Sequence, residues 1–182
     1  MIKETRAPVP AKSGQPARYD SEYERNGTCN LFLFCEPQPG WRHIGVTAQR
    51  PMHDFAQQMK GLVDEAYPEA EVIRVVLDNL NTPKLASLYE TFAPAEARRI
   101  AKKLEFHYTP KQGSWLTMAE IEFSVLSRPC LERRIPDELT LIRALQAYEA
   151  RRNAAKAKIT WRFTSAQARG KLHRLYPSIP HN

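Results

Sequence analysis

Asp78 closes an apolar run, VIRVVLDNLN at residues 72–81, and Glu120 follows Thr117 by three residues in a stretch that reads as the start of an amphipathic helix. The run predicts a buried strand, and the carboxyl end of a strand is where open α/β sheets place ligand sites. A carboxylate from a strand end and another from a helix start supply the oxygen donors that a hard divalent cation demands. Glu120 also has a purely structural use, because Thr117 and Glu120 have the spacing of a capping box, each satisfying a backbone N–H at the helix start. Glu122 is kept out of the same site. Two residues along a helix turn a side chain through about 200°, so Glu122 is expected to be solvated when Glu120 faces the cation. His107, in the strand before this helix, is read first as a hydrogen-bonded structural residue and second as a phosphate contact.

The elements that must position these groups follow from periodicity and punctuation. Residues 1–20 hold Pro8, Pro10, Gly14 and Pro16 without apolar periodicity and predict an extended arm or loop. Residues 29–35 and 42–48 predict two strands joined by the turn-forming residues 36–40. A helix is expected over 53–66, with Phe55, Met59, Leu62, Val63 and Ala66 at helical spacing and Pro68 beyond its end. After the 72–78 strand come two short helices over 84–92 and 94–103, the second with Pro94 suited to a first turn. Residues 104–108 predict a strand with Leu104, Phe106 and Tyr108 on one face, followed by a loop broken by Pro110 and Gly113. Helix resumes after Pro136, with Leu141, Leu145 and Tyr148 on one face and Arg151, Arg152, Lys156 and Lys158 toward its end. Residues 159–163 read as extended, and Thr164 with Gln167 forms another capping-box pattern before a last helix running to about Tyr176. The organisation expected is an arm (1–28), a core (29–132) and basic helices of the same domain (133–182).

A chain of 182 residues with 42% hydrophobic content fits one domain with a real core. The longest apolar run, residues 31–35, is too short to cross a bilayer, and the chain opens on no signal-peptide pattern, so a cytoplasmic protein is expected. Cys29, Cys35 and Cys130 lack metal-ligand spacing and are read as reduced core residues. The net charge of +7 is localised: residues 133–174 hold eleven Lys or Arg against three acids, a local +8 that leaves the rest of the chain at −1. Such a segment predicts a polyanion partner, bound through salt-sensitive phosphate contacts. Arg151, Arg152, Lys156 and Lys158 are the candidate contacts there, although cations in a last turn also complement the helix dipole. Lys111 and Trp115, in the loop before the Glu120 helix, are candidate DNA contacts on the rim of the carboxylate site. Trp161 and Phe163 are read as packing residues rather than base-stacking ones.

The segments RVVLDNLNT and HYTPKQGSWLTMAEIEFSVLSR resemble the second and third acidic motifs of DDE transposases, in the bacterial insertion-sequence branch of the mariner superfamily. The resemblance extends through YERNGTCNLFLFCEP upstream and WRFTSAQARGKLHRLYP downstream, covering about residues 3–177. It implies Asp78 as the second catalytic aspartate and Glu120 as the third catalytic carboxylate. It also implies Mg²⁺ or Mn²⁺ as cofactor, DNA as partner with no small-molecule substrate, nucleoid association when DNA is bound, and an α/β RNase H-like (retroviral integrase-like) mixed sheet flanked by helices. Self-association is left open. The chain departs from the family at Pro83, where relatives often have histidine, and at Thr117, where they usually have asparagine.

In that family the first, central strand carries the first catalytic aspartate. No segment before Cys29 matches it: residues 1–6 are short and polar, and Asp20 lies in a Pro- and charge-rich stretch. The first central strand and the family's helix-turn-helix region are therefore expected to be missing, cation binding to be weakened, and the polypeptide alone to have little or no transposition activity. The alternative expectation is a non-catalytic remnant of an insertion element that binds nucleic acid through its basic helices.

Overall fold

The computed structural model describes residues 1–47, 51–78, 85–110 and 117–171. Strands β1 (Ile2–Glu4) and β2 (Tyr23–Arg25) pair antiparallel, as do β3 (Asn30–Glu36) and β4 (Trp41–Thr47). Helix α1 (Pro51–Gly61) passes into a π turn at Leu62–Ala66, followed by β5 (Ile73–Leu77), α2 (Ala86–Thr91), α3 (Pro94–Lys103) and β6 (Leu104–Tyr108). The chain continues through α4 (Met118–Leu126), a second π turn (Ser127–Leu131), α5 (Glu138–Ala154) and α6 (Ser165–Lys171).

The β3–β4 hairpin is a middle layer because its side chains alternate between two cores. Phe32, Phe34 and Trp41 pack with Phe55, Ala56 and Met59 of α1. Leu31, Leu33, Ile44 and Val46 pack with Leu126, Cys130, Leu141, Leu145 and Tyr148 on the opposite side. Burying an aliphatic side chain such as Leu126 or Leu145 contributes about 1.5–3 kcal/mol, so α4 and α5 are held chiefly by this second core. Asp137 starts α5 by accepting the backbone N–H of Thr140 at 2.7 Å, which draws its carboxyl below the usual carboxylate range.

Strands β5 and β6 pair in parallel, in register from Ile73 with Leu104 to Leu77 with Tyr108, across a connection that contains α2 and α3. Val75 and Leu104 join Leu88, Ala97 and Ile100 in the first core. Residues 72–78 are not the buried strand that the sequence predicts: Val76 is 63% exposed and Val72 52% exposed. Helices α1, α2 and α3 cover one face of this pair, and the opposite face carries Arg74 between Val72 and Val76.

One further expectation is revised. Among the described residues the ladder is not one mixed sheet but three two-stranded sheets, β1–β2, β3–β4 and β5–β6. The arm expected over residues 1–28, read over 1–20 as an extended arm or loop, takes the form of a hairpin, because Val9 pairs with Arg18 and Lys12 with Gln15 in the same register as β1 with β2. Residues 159–163, read as extended, lie in neither helix nor strand. The Thr164–Gln167 capping box does form, with Thr164 N donating to Gln167 Oε1 at 2.9 Å and Gln167 N to Thr164 Oγ1 at 3.2 Å. The expected helix beyond Lys171 lies outside the described residues, and within them no helix is long and apolar enough to cross a membrane.

Candidate functional site

The two candidate carboxylates stand on chain that leaves the carboxyl ends of β5 and β6. Asp78 follows Leu77 directly and is half-buried. Thr109 N donates to Leu77 O at 2.9 Å, tying the exit of β6 to the residue before Asp78. Glu120 lies in the first turn of α4, exposed, where a negative charge is favoured by the helix dipole. Thr117 is the N-cap residue as expected, but its side chain makes no cap hydrogen bond, so the capping box is not closed from that side.

Glu122 corrects the sequence reading most sharply. It is fully buried, not solvated, and its carboxylate accepts four hydrogen bonds. Tyr148 Oη donates to Oε1 at 2.6 Å, Arg152 Nε to Oε1 at 3.2 Å, Arg152 Nη2 to Oε2 at 3.0 Å and Arg42 Nη2 to Oε2 at 3.1 Å. Burial opposes ionisation of Glu122, yet the bonds from Arg152, Tyr148 and Arg42 outweigh it and hold the carboxyl below its ordinary range. Burial and the neighbouring Glu122 charge push the Tyr148 phenol well upward. Arg42, also fully buried, donates further to Gly40 O at 2.9 Å and Ala157 O at 2.6 Å. One carboxylate thus joins β4, α4 and α5. The signal available in the sequence was the spacing of Glu122, Leu126 and Cys130, four residues apart on one buried stripe.

The candidate phosphate contacts divide. Arg151 is exposed, its guanidinium 5.9 Å from the Tyr148 ring centre. Arg152 is turned inward onto Glu122, and that pairing raises its own pKa. Lys156 and Lys158 are exposed just beyond α5. Lys156 has φ of +44° and occupies the left-handed position after the helix. Its N–H donates to Asn153 O at 3.0 Å and Ala157 N to Arg152 O at 3.1 Å, a Schellman closure. Lys111 and Trp115 lie outside the described residues, as does Pro83. His107 is hydrogen-bonded, as expected, with Nε2 2.6 Å from Glu105 Oε1. Trp161 and Phe163 are half-buried and meet edge to face at 6.1 Å.

In donor type Asp78 and Glu120 suit a hard cation. Among the described residues, however, no group of three or more His, Cys, Asp or Glu is gathered as a metal-ligand set. A family model described as DDE superfamily endonuclease matches residues 2–142, a span that includes both carboxylates and ends within α5, before Arg151. No curated protein and no solved structure matches the chain.

Proposed function

The chain belongs to the DDE superfamily endonucleases, and from that premise we propose that it is a transposase catalytic domain of the bacterial insertion-sequence type, directed at DNA cleavage and strand transfer. The observation that carries the reading is the family match across both acidic motifs, with Asp78 at the end of β5 and Glu120 in the first turn of α4. Asp78 and Glu120 are the residues that would hold Mg²⁺ or Mn²⁺. When bound, such a cation polarises phosphate oxygens and stabilises charge on the attacking and leaving oxygens. The protein's own part is to present the two carboxylates on the chain that leaves β5 and β6. The fold proposed for this activity is the RNase H-like one, and DNA is the partner, with Arg151, Lys156 and Lys158 as phosphate contacts and Lys111 and Trp115 as contacts on the rim.

Two carboxylates bind a single cation weakly and do not organise a pair. We therefore expect the 182-residue polypeptide alone to nick DNA little or not at all. The test is Mn²⁺ binding, followed by the relaxation of water protons, together with nicking of supercoiled plasmid. Weak Mn²⁺ binding that is lost in Asp78→Ala and in Glu120→Ala supports the assignment; binding unaffected by either substitution removes these residues from the metal site. Robust nicking abolished by Asp78→Ala would overturn the expected low activity.

A second reading is favoured by one observation: the exposed cations Arg151, Lys156 and Lys158 lie outside the residues that the family model matches. It is sequence-independent DNA binding without catalysis. Under it, charge reversal at these positions abolishes binding while Asp78→Ala leaves it unchanged.

A further inference from the structure

The hairpin formed by residues 1–28 takes no part in either core and carries no acid toward its tip. Ten residues separate the Ile2–Arg25 pair from the Lys12–Gln15 pair, a reach of roughly 30 Å at about 3.3 Å per residue. All the pairings share one register, so the arm is a single two-stranded ribbon closed by Ser13 and Gly14, with Gly14 at φ +74°. Its base is clamped. Arg134 Nη1 donates to Glu4 Oε2 at 2.5 Å, Nη2 to Asp20 O at 2.7 Å, and its guanidinium lies 5.6 Å from the Tyr23 ring centre. Ile2 N donates to Ile135 O at 2.7 Å and Asn26 Nδ2 to Pro136 O at 2.6 Å.

The acids Glu4, Asp20, Glu22 and Glu24 all lie toward this base. In the ribbon register Asp20 stands level with Ala7, so Arg6 lies among these acids; beyond that level there is no acid, and the charged residues of the tip are Lys12 and Arg18, both exposed. Arg6 leans back to Asp20 at 3.5 Å with its side chain 78% exposed; no ion pair engages Lys12 or Arg18 among the described residues. Pro8, Pro10 and Pro16 remove backbone donors along the ribbon, so its edges are poor templates for another strand. That favours a partner that reads charge over a second copy pairing edge to edge.

We propose that this ribbon is a second DNA-binding element, a basic finger whose tip contacts the phosphates flanking a groove of duplex DNA. The inference rests on the DNA reading above and extends it to residues that no motif had marked. A B-form major groove, about 12 Å wide, admits a two-stranded ribbon. The finger's base docks at residues 134–136, just before the N-terminal end of α5, whereas Arg151 ends the same helix.

The test is binding of a 20-base-pair fluorescent duplex to the full chain across a salt series, for wild type and for the triple variant Arg6→Gln, Lys12→Gln, Arg18→Gln. Because each phosphate contact contributes about 0.9 to the slope of log affinity against log salt, the variant is expected to lose roughly 2 to 3 from that slope. At about 100 mM salt its affinity should fall tenfold or more. Limited trypsin digestion of the unmodified chain gives an independent readout that needs no variant: the duplex should slow cleavage after Arg6, Lys12 and Arg18. Equal slopes with unslowed cleavage would overturn the finger and leave the DNA reading standing. No binding by wild type at 50 mM salt would overturn both.

Discussion

Arg42 and Glu122, eighty residues apart in the chain, meet fully buried, with Arg42 Nη2 donating to Glu122 Oε2 at 3.1 Å. Arg42 Nε stands a further 2.9 Å from Oε1, close in distance but not aligned as a hydrogen bond. The pair joins β4 to α4, and Tyr148 and Arg152 bring in α5. It also sets the rotation of α4 about its axis, because with Glu122 held inward Glu120 is left facing solvent.

Removing one partner leaves the other charge buried. Arg42→Ala and Glu122→Ala are each expected to cost about 3–5 kcal/mol, whereas Glu120→Gln, on the exposed side, should stay within about 0.5 kcal/mol of wild type. Urea denaturation of the three variants checks this. Equal stability of Glu120→Gln and Glu122→Ala would mean that the buried cluster does not hold the fold.

The same carboxylate predicts an acid-sensitive stability. The folded pKa of Glu122 lies below its unfolded value, near 4.3. Its contribution is therefore complete above about pH 5 and is lost as pH falls through the folded pKa. The stability gap between wild type and Glu122→Gln should narrow between pH 6 and pH 3 in urea titrations; a constant gap would refute the assignment. Asp137 is shifted in the same direction by its Thr140 bonds, so the comparison must be made with that cap intact.

Neighbouring arginines should part company. Arg151→Gln is expected to weaken binding to duplex DNA and reduce its salt slope by about 1 while leaving the thermal midpoint unchanged. Arg152→Gln should do the reverse, since its guanidinium serves Glu122. A fluorescence anisotropy series beside a thermal melt distinguishes the two; identical behaviour of both variants would contradict the geometry.

The loop after α5 offers a stabilising change. Lys156 at φ +44° bears the cost of a left-handed residue with a Cβ, about 1–2 kcal/mol, part of which glycine relieves. Lys156→Gly should raise stability by about 0.5–1 kcal/mol after the extra unfolded-state entropy of glycine is subtracted. Gly40, at φ +76°, abuts the Lys156 carbonyl, and a Cβ there would overlap it. Gly40→Ala should therefore destabilise by at least about 1–3 kcal/mol. Chemical denaturation of both variants checks the opposite signs.

Local chemistry made much of this protein legible in its sequence. Pro94 at a first turn and the amphipathic spacing of Ala97, Ile100 and Ala101 mark α3, and the alternation of Leu104 and Phe106 marks β6. Thr164 and Gln167 specify the start of α6 through bonds spanning three residues. Asp78 at a strand end and Glu120 in a first turn were legible for the same reason, since each position depends on its immediate neighbours. Helix geometry likewise put Glu120 and Glu122 on opposed faces, but it carries no sign: which of them points inward depends on what stands opposite. Only the tertiary structure decided that, by bringing Arg42, Tyr148 and Arg152 from other elements to solvate Glu122 in place of water. The same contacts withdrew Arg152 from the surface, and the clamp of Arg134 on Glu4 and Asp20 fixed the arm as a ribbon. Interactions between separate elements, here 26 to 130 residues apart, depend on how layers pack, and periodicity within one element does not encode them.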